Sequence, residues 1–306
     1  MKNLKYAVIG TGALGGYYGG ILAKAGKDVH FLFHSDFEWV KANGLRVDSV
    51  NGNFSLPKVN AYQRSVDMPA CDVVLVCMKT TADSLLPELL KPILHSNTVV
   101  LLIQNGFGNE SKLQKELPST LLAGGLGFIC SSKNGPGFID HQDYGKLTMG
   151  AHSAGIVPVL EQISVDLKQA GVPAEISDDL TLSRWKKLVW NVPFNGLCVV
   201  LNATTLELMS NPNTLSLVRD LMFEVVDAAN ASGSYIEAGF VQAMLDYTLK
   251  MKPYAPSMKL DFDSNRPMEI EAIYTRTIEA AAKAGFKMNK VEMLKAQLEF
   301  LQQRTH

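Results

Sequence analysis

Tyr6-Ala7-Val8-Ile9-Gly10-Thr11-Gly12-Ala13-Leu14-Gly15 decides how the rest of this chain is read. Apolar residues running straight into glycine describe a strand buried on both faces. Beyond the glycines, Ala13, Leu14, Tyr17, Tyr18, Ile21, Leu22 and Ala25 recur at helical spacing until Gly26, which supplies a stop. Strand, glycine turn and helix form the frame in which G-x-G-x-x-G holds a dinucleotide. Gly10 allows the tight turn, Gly12 lets a pyrophosphate approach the backbone, and Gly15 lets the helix pack on the strand. The start of the helix, with Thr11, Ala13 and Leu14 around it, offers unpaired N–H groups and the positive end of a dipole. A glycine-rich turn that binds nothing is the alternative. A second strand over residues 28–33 favours the dinucleotide, because the motif requires a βαβ unit.

With 306 residues, 47% of them hydrophobic, the chain can bury a large core, and its length suggests two domains. The net charge of −1, with both signs interspersed, argues against a nucleic-acid partner. The least polar stretch, 121–130, contains three glycines and is too short to span a bilayer. The first residues enter the first strand directly, so no targeting segment is expected, and a soluble cytoplasmic protein is the expectation. Cys71, Cys77, Cys130 and Cys198 lie mostly in apolar runs without C-x-x-C spacing and read as reduced, buried thiols. The six histidines show no ligand pattern, which argues against a metal site.

Up to about residue 177, strand-like and helix-like segments alternate, the mark of a mostly parallel sheet with helices on both faces. Expected strands lie at 71–78, 97–104, 121–131 and 174–177, with a hairpin over 45–50 and 53–59. Segments 138–142 and 146–150, separated by Asp143-Tyr144-Gly145, read as an antiparallel pair. From residue 178 strand signals disappear, and helices are expected at 180–191, 214–232, 240–251, 267–284 and 289–303. The expected architecture is therefore an α/β Rossmann-like dinucleotide-binding domain over 1–178 and an all-α domain over 179–306.

The first helix of the second half carries Arg184-Trp185-Lys186-Lys187 and continues through Asn191 and Pro193 to Asn195. Steps of four residues place Lys187, Asn191 and Asn195 on one slowly drifting polar stripe. Pro193 is expected to kink or break the helix. Spacing alone favours a solvated helix face. The chain resembles the ketopantoate reductase family, however, over nearly its full length. The residues carrying the resemblance are the glycine turn, Met78-Lys79, Gln104-Asn105-Gly106, Trp185-Lys186-Lys187 with Asn191 and Asn195, and Pro256-Ser257-Met258 followed by Arg266-Pro267-Met268-Glu269-Ile270-Glu271.

The resemblance implies reduction of a branched 2-oxo acid by NADPH, and a second domain like the C-terminal domain of 6-phosphogluconate dehydrogenase. It implies that Lys187 gives the proton to the carbonyl oxygen, and desolvation suits this by lowering a lysine pKa toward neutrality. It places Glu269 at the nicotinamide end of the cofactor, Lys79 near the cofactor, and Asn105 between nicotinamide ribose and substrate. Asn191, Asn195 and Ser257 match substrate contacts. The bland alternatives are a surface lysine at 79, a plain turn at Asn105-Gly106, a helix cap at Ser257 and a first-turn glutamate at Glu269.

The chain also departs from the family pattern. His34 stands where an arginine pairs with the 2′-phosphate of NADPH, and histidine lacks the bidentate fork. Asp36, 21 residues beyond Gly15, could instead hold a ribose diol, so NADPH is expected with NADH as the alternative. Tyr254 and Thr205 stand at or near asparagine positions, and Gly196 replaces a proline that often follows the second helix asparagine. These changes bear on which small 2-oxo acid is the substrate. A reductase of another 2-oxo or 3-hydroxy acid and a non-catalytic nucleotide sensor are the rival readings, and a homodimer is compatible with either.

Overall fold

The computed structural model describes residues 3–251 and 255–305, so Tyr254 lies outside the described residues. The chain divides into two compact units, Met1–Gln104 with Asn109–Leu180, and Asn105–Gly108 with Thr181–His306.

In the first unit the elements are β1 (Lys5–Ile9), α1 (Ala13–Lys24), β2 (Asp28–Leu32), α2 (Phe37–Asn43), β3 (Leu45–Ser49), β4 (Phe54–Leu56), β5 (Asn60–Tyr62), β6 (Val73–Val76), α3 (Leu86–Leu90), β7 (Val99–Leu102), α4 (Asn109–Glu116), β8 (Leu121–Lys133), β9 (Phe138–Ala151), α5 (Val157–Gln169) and β10 (Ala174–Ser177). The strands form one sheet in the order β4-β3-β9-β8-β7-β6-β1-β2-β5, with β10 beside β9. The parallel run β5-β2-β1-β6-β7-β8 has the doubly wound order of a Rossmann fold, and the strand order reverses between β1 and β6. Alternation along β1 sends Tyr6 and Val8 into the core beneath α1 and α5, and Ala7 and Ile9 into the core of the opposite face with Leu86 and Leu90.

Two sequence expectations change here. Asp143-Tyr144-Gly145 does not close a hairpin. Segments 138–142 and 146–150 belong to the single strand β9, antiparallel to β8 along its length, and the pairing slips between Phe128 and Ile129 and again between Cys130 and Ser131. Tyr144 (φ 62°) and Gly145 (φ 118°) absorb the slip as a bulge. The bulge is filled by His141, whose Nε2–H faces the carbonyls of Asp143 and Tyr144 at 3.1 Å each and whose Nδ1 accepts from Ser49 Oγ at 2.7 Å. The short strand β5 was also missed, since three residues carry no periodicity. All four cysteines are free thiols, and burial pushes Cys71, Cys77 and Cys198 up to about 12.

The second unit holds α6 (Leu180–Val200), α7 (Thr205–Ser210), α8 (Pro212–Ala231), α9 (Gly239–Lys250), α10 (Ser257–Asp263), a π-turn (Glu271–Thr275), α11 (Arg276–Lys283) and α12 (Asn289–Thr305). Pro193 does not end α6, which continues seven residues beyond it. A proline removes only one backbone donor, and here Val189, Val192 and Phe194 are fully buried around it. The Tyr274 hydroxyl donates to the Val192 carbonyl at 2.9 Å. Gly196 has a packing reason of its own, because a Cβ there would lie 2.6 Å from both Tyr274 Oη and Leu294 Cδ2.

Helix α7 was not anticipated, and α10 only through the helix-cap alternative at Ser257. The first begins in a capping box between Thr204 and Glu207, and Thr205 is buried in its first turn. The expected helix start at Pro267 is also displaced. Arg266 closes the preceding turn through its N–H to Asp261 O (2.8 Å) and its guanidinium to Asp261 Oδ1 (3.1 Å), and regular helix begins only after Glu269. Among the described residues no helix is long and apolar enough to cross a membrane.

Candidate active site

The three motif glycines have three different physical reasons. A Cβ at Gly10 (φ 88°) would lie 2.4 Å from Met78 N, so the turn must press on the end of β6. A Cβ at Gly15 would lie 2.4 Å from Gly10 O and 2.9 Å from Val8 Cγ1, where α1 crosses β1. At Gly12 a Cβ would meet nothing within 4 Å, and φ is an ordinary −88°. Packing therefore does not demand glycine there, and the open space fits the close approach of a pyrophosphate. Gly12 also caps α1 without any side-chain hydrogen bond, leaving Ala13, Leu14 and Gly15 in an uncapped first turn. The Thr11 hydroxyl donates to Leu32 O at 2.8 Å and ties the turn to the end of β2.

Lys79 is exposed directly after Met78, at the end of β6, so it stands beside the glycine turn where the strand order reverses. His34 is exposed two residues beyond β2. Asp36 is spent on the protein. It is 5% exposed, pairs with Lys133 Nζ at 2.6 Å, and accepts from Gly137 N at 3.0 Å and Ser35 Oγ at 3.1 Å. Burial opposes its charge, but Lys133, the Gly137 N–H and Ser35 together hold its pKa below the usual carboxylate value. Asp36 thus fixes the start of α2 to the β8–β9 turn, a role the ribose-diol reading does not anticipate.

In the second unit, Lys187, Asn191 and Asn195 follow one another up α6, but not as a solvated face. Asn191 is 5% and Asn195 1% exposed, and Lys187 is half-buried. Desolvation, assisted by the Arg184 guanidinium and opposed by the Glu269 carboxylate, pulls the Lys187 pKa from 10.5 down to about 7. Asn191 Nδ2 is buried with no hydrogen-bond partner among the described residues. Asn195 Oδ1 accepts from Met258 N at 3.2 Å, so it caps α10 from outside. Ser257 therefore is not the cap; it is the first residue of α10, half-buried, next to Met258, whose N–H Asn195 holds.

Glu269 is 4% exposed and sits just before the π-turn. Such turns widen a helix and release carbonyls from their regular partners. Ala272 O is taken by Phe107 N at 2.9 Å, and Gly106 (φ 94°) passes so close that a Cβ would lie 2.4 Å from the same oxygen. Arg184 Nη1 donates to Gly106 O at 3.4 Å, and the Phe107 and Trp185 rings lie 4.8 Å apart. Asn105 accordingly belongs with Lys187 and Glu269, although the sequence places it at the end of a sheet strand. Sequence reasoning missed Arg184 and the π-turn. Arg184 offered only its position one turn before Lys187.

The ketopantoate reductase PanE/ApbA family matches residues 6–154, and its C-terminal domain family matches residues 179–302. This chain belongs to the ketopantoate reductase family. A 2-dehydropantoate 2-reductase of Nostoc sp. is 50% identical over 99% of this chain and 97% of its own length. The crystal structure of 2-dehydropantoate 2-reductase from Geobacter metallireducens superimposes with a TM-score of 0.94 at 40% identity, covering 97% of this chain and 99% of that one. D-mandelate dehydrogenase in a ternary structure with NADH shares the fold at a TM-score of 0.91 and 20% identity, over 98% and 99% of the two chains. Both family domains are present in order, and the departures from the family pattern noted in the sequence are His34, Thr205, Tyr254 and Gly196.

Proposed function

We propose that this protein reduces 2-dehydropantoate to pantoate with NADPH, the first unit holding the dinucleotide and the second the 2-oxo acid. The observation that carries the reading is a lysine whose proton is labile near neutral pH, set in one unit with Asn105, Asn191, Asn195, Ser257 and Glu269. When bound, the nicotinamide supplies the hydride that reduces the carbonyl carbon.

The residues of the chain do the remainder. The uncapped start of α1 and the open approach at Gly12 receive the pyrophosphate, while Lys79 and His34 attract its phosphates. Lys187 donates its proton to the carbonyl oxygen, and a pKa near working pH lets the ammonium both give up and recover that proton. Glu269 supplies a buried negative charge that keeps the ammonium from losing its proton too early. Asn191, with an unspent amide donor, and Ser257 orient the substrate, and Asn105 bonds between it and the nicotinamide ribose. NADPH is favoured over NADH because Asp36, the carboxylate that could have held the ribose diol, is committed to Lys133 and Gly137.

Oxidation of NADPH by the purified protein with 2-dehydropantoate, repeated with other branched 2-oxo acids and with NADH, tests this. The expected result is the highest kcat/KM for 2-dehydropantoate with NADPH. Turnover of a different 2-oxo acid would reassign the substrate, and tight NADPH binding without turnover of any would point to a sensor.

A further inference from the structure

The segment Asn105–Gly108 leaves the sheet unit after Gln104 and returns to it at Asn109, yet it packs with the helical unit. Four contacts hold it there. Phe107 N donates to Ala272 O at 2.9 Å, Gly106 takes a left-handed conformation against that carbonyl, the Phe107 ring lies against Trp185, and Arg184 Nη1 donates to Gly106 O. Arg184 is 3% exposed, so this hydrogen bond is made by a buried cation. Charged hydrogen bonds out of water are the ones whose loss is felt most. Arg184 also lies one helical turn before Lys187 on α6, close enough for its charge to bear on the ammonium.

We propose that Arg184 is a positioning residue of the reaction: it moors the Gly106 carbonyl so that Asn105 is carried by the same rigid unit as Lys187 and Glu269. This rests on the reductase reading above and adds to it a residue that the family resemblance does not single out. Geometry makes the role economical. Two buried groups from α6, Arg184 and Trp185, and the Ala272 carbonyl of the π-turn grip two successive residues, Gly106 and Phe107, of the loop that carries Asn105. A second consequence concerns charge. Lys187 senses Arg184 from its own helix and Glu269 from the segment before the π-turn, with opposite signs. Removing the guanidinium leaves desolvation alone to oppose Glu269 and moves the Lys187 pKa upward.

Arg184→Met and Arg184→Lys, prepared in the full chain, test the mooring by amide hydrogen exchange at Phe107, read against α12 in the same sample. The expected result is at least about tenfold faster exchange at Phe107 in Arg184→Met with α12 unchanged, the signature of a local release. An unchanged ratio of the two rates would overturn the proposal. If Arg184→Met does not fold, Arg184→Lys carries the same comparison, since the shorter side chain and its non-planar ammonium do not reproduce the position of Nη1. The second readout is the alkaline limb of kcat, which should move to higher pH in Arg184→Met and stay in place in Arg184→Lys; a limb that stays put in both would overturn the charge role. The exchange arm needs no turnover. A wild-type protein inactive on every 2-oxo acid would thus sink the reductase reading while leaving the mooring to be judged on Phe107 alone.

Discussion

Replacing Lys187 by methionine should make the protein less active and, at neutral pH, more stable. The unfolded lysine keeps its proton up to about pH 10.4, whereas desolvation and Arg184 make the folded one release it above about 7. Between those values the unfolded chain binds more protons than the folded one. Stability therefore rises with pH across that window, by up to about 1.4 kcal/mol per unit from this one group. Below pH 7 the ammonium is charged in both states, and the folded state bears the full cost of holding it half-buried. Methionine fills similar space with no charge, so the variant should gain stability most at and below pH 7 and lose the upward slope above it. Urea unfolding at pH 6.5, 8 and 9.5 measures the slope. Activity should fall by about a hundredfold or more, the usual contribution of a positioned proton donor, with NADPH affinity nearly unchanged. In the wild type, kcat should decline above pH 7 as the donor loses its proton. Parallel pH–stability curves for the two proteins would refute the depressed pKa, and a variant with wild-type kcat would refute the proton-donor role.

Gly12→Ala should cost only the roughly 0.5–1 kcal/mol by which alanine is the poorer helix N-cap, because its Cβ meets no protein atom, while weakening NADPH binding in a fluorescence titration. Gly15→Ala should do the reverse first, losing about 1–3 kcal/mol to the contact with Gly10 O. Equal stability loss in both would contradict the division of labour among the glycines. His34→Arg should raise the ratio of NADPH to NADH affinity by about tenfold or more, since a guanidinium can bind a phosphate through two hydrogen bonds; an unchanged ratio would remove residue 34 from the phosphate site. Gly196→Ala should cost about 1–3 kcal/mol in urea unfolding despite the better helix propensity of alanine, and Tyr274→Phe should recover part of that loss by removing the hydroxyl it strikes. Full stability in the single variant would show that α6 and the π-turn can part without cost.

What could be read from the sequence was whatever is encoded within about one element. The glycine turn announced itself because strand, turn and helix are contiguous, and the reason for Gly15 is contact with Gly10 O and Val8 of the same motif, whereas the reason for Gly10 is Met78, far along the chain at the end of β6. The helix expected over 214–232 lies between Asn211-Pro212 and Gly233, a start and a stop signal, and Asn211 does cap α8 through Asn213 N and Thr214 N. The misreading of Asp143-Tyr144-Gly145 has the same origin. A bulge and a hairpin use the same residue types, and only the partner strand β8, which runs on past the irregularity, tells them apart. Asp36 stayed open as a ribose-diol acid, against His34 as the reader of a 2′-phosphate, because the residue that commits Asp36, Lys133, lies far along the chain.

The polar stripe on α6 marks where local reading had to fail. A run of Lys187, Asn191 and Asn195 at steps of four is indistinguishable in sequence from a wet helix face, and most such runs are one. What turns it into a site is that Val192, Phe194 and Trp185 around it are buried as well, so the polar groups are enclosed and must find partners or wait for them. Asn195 has found one in Met258 N and by doing so sets the start of α10, which carries Ser257. Asn191 keeps a buried amide donor with no partner among the described residues, a cost of roughly 1–3 kcal/mol that a substrate oxygen would relieve. Lys187 bears the cost of a desolvated charge. A helix built only for stability would carry leucine at these positions, and the energy forgone there is what supports the proposed role of α6 in holding a ligand.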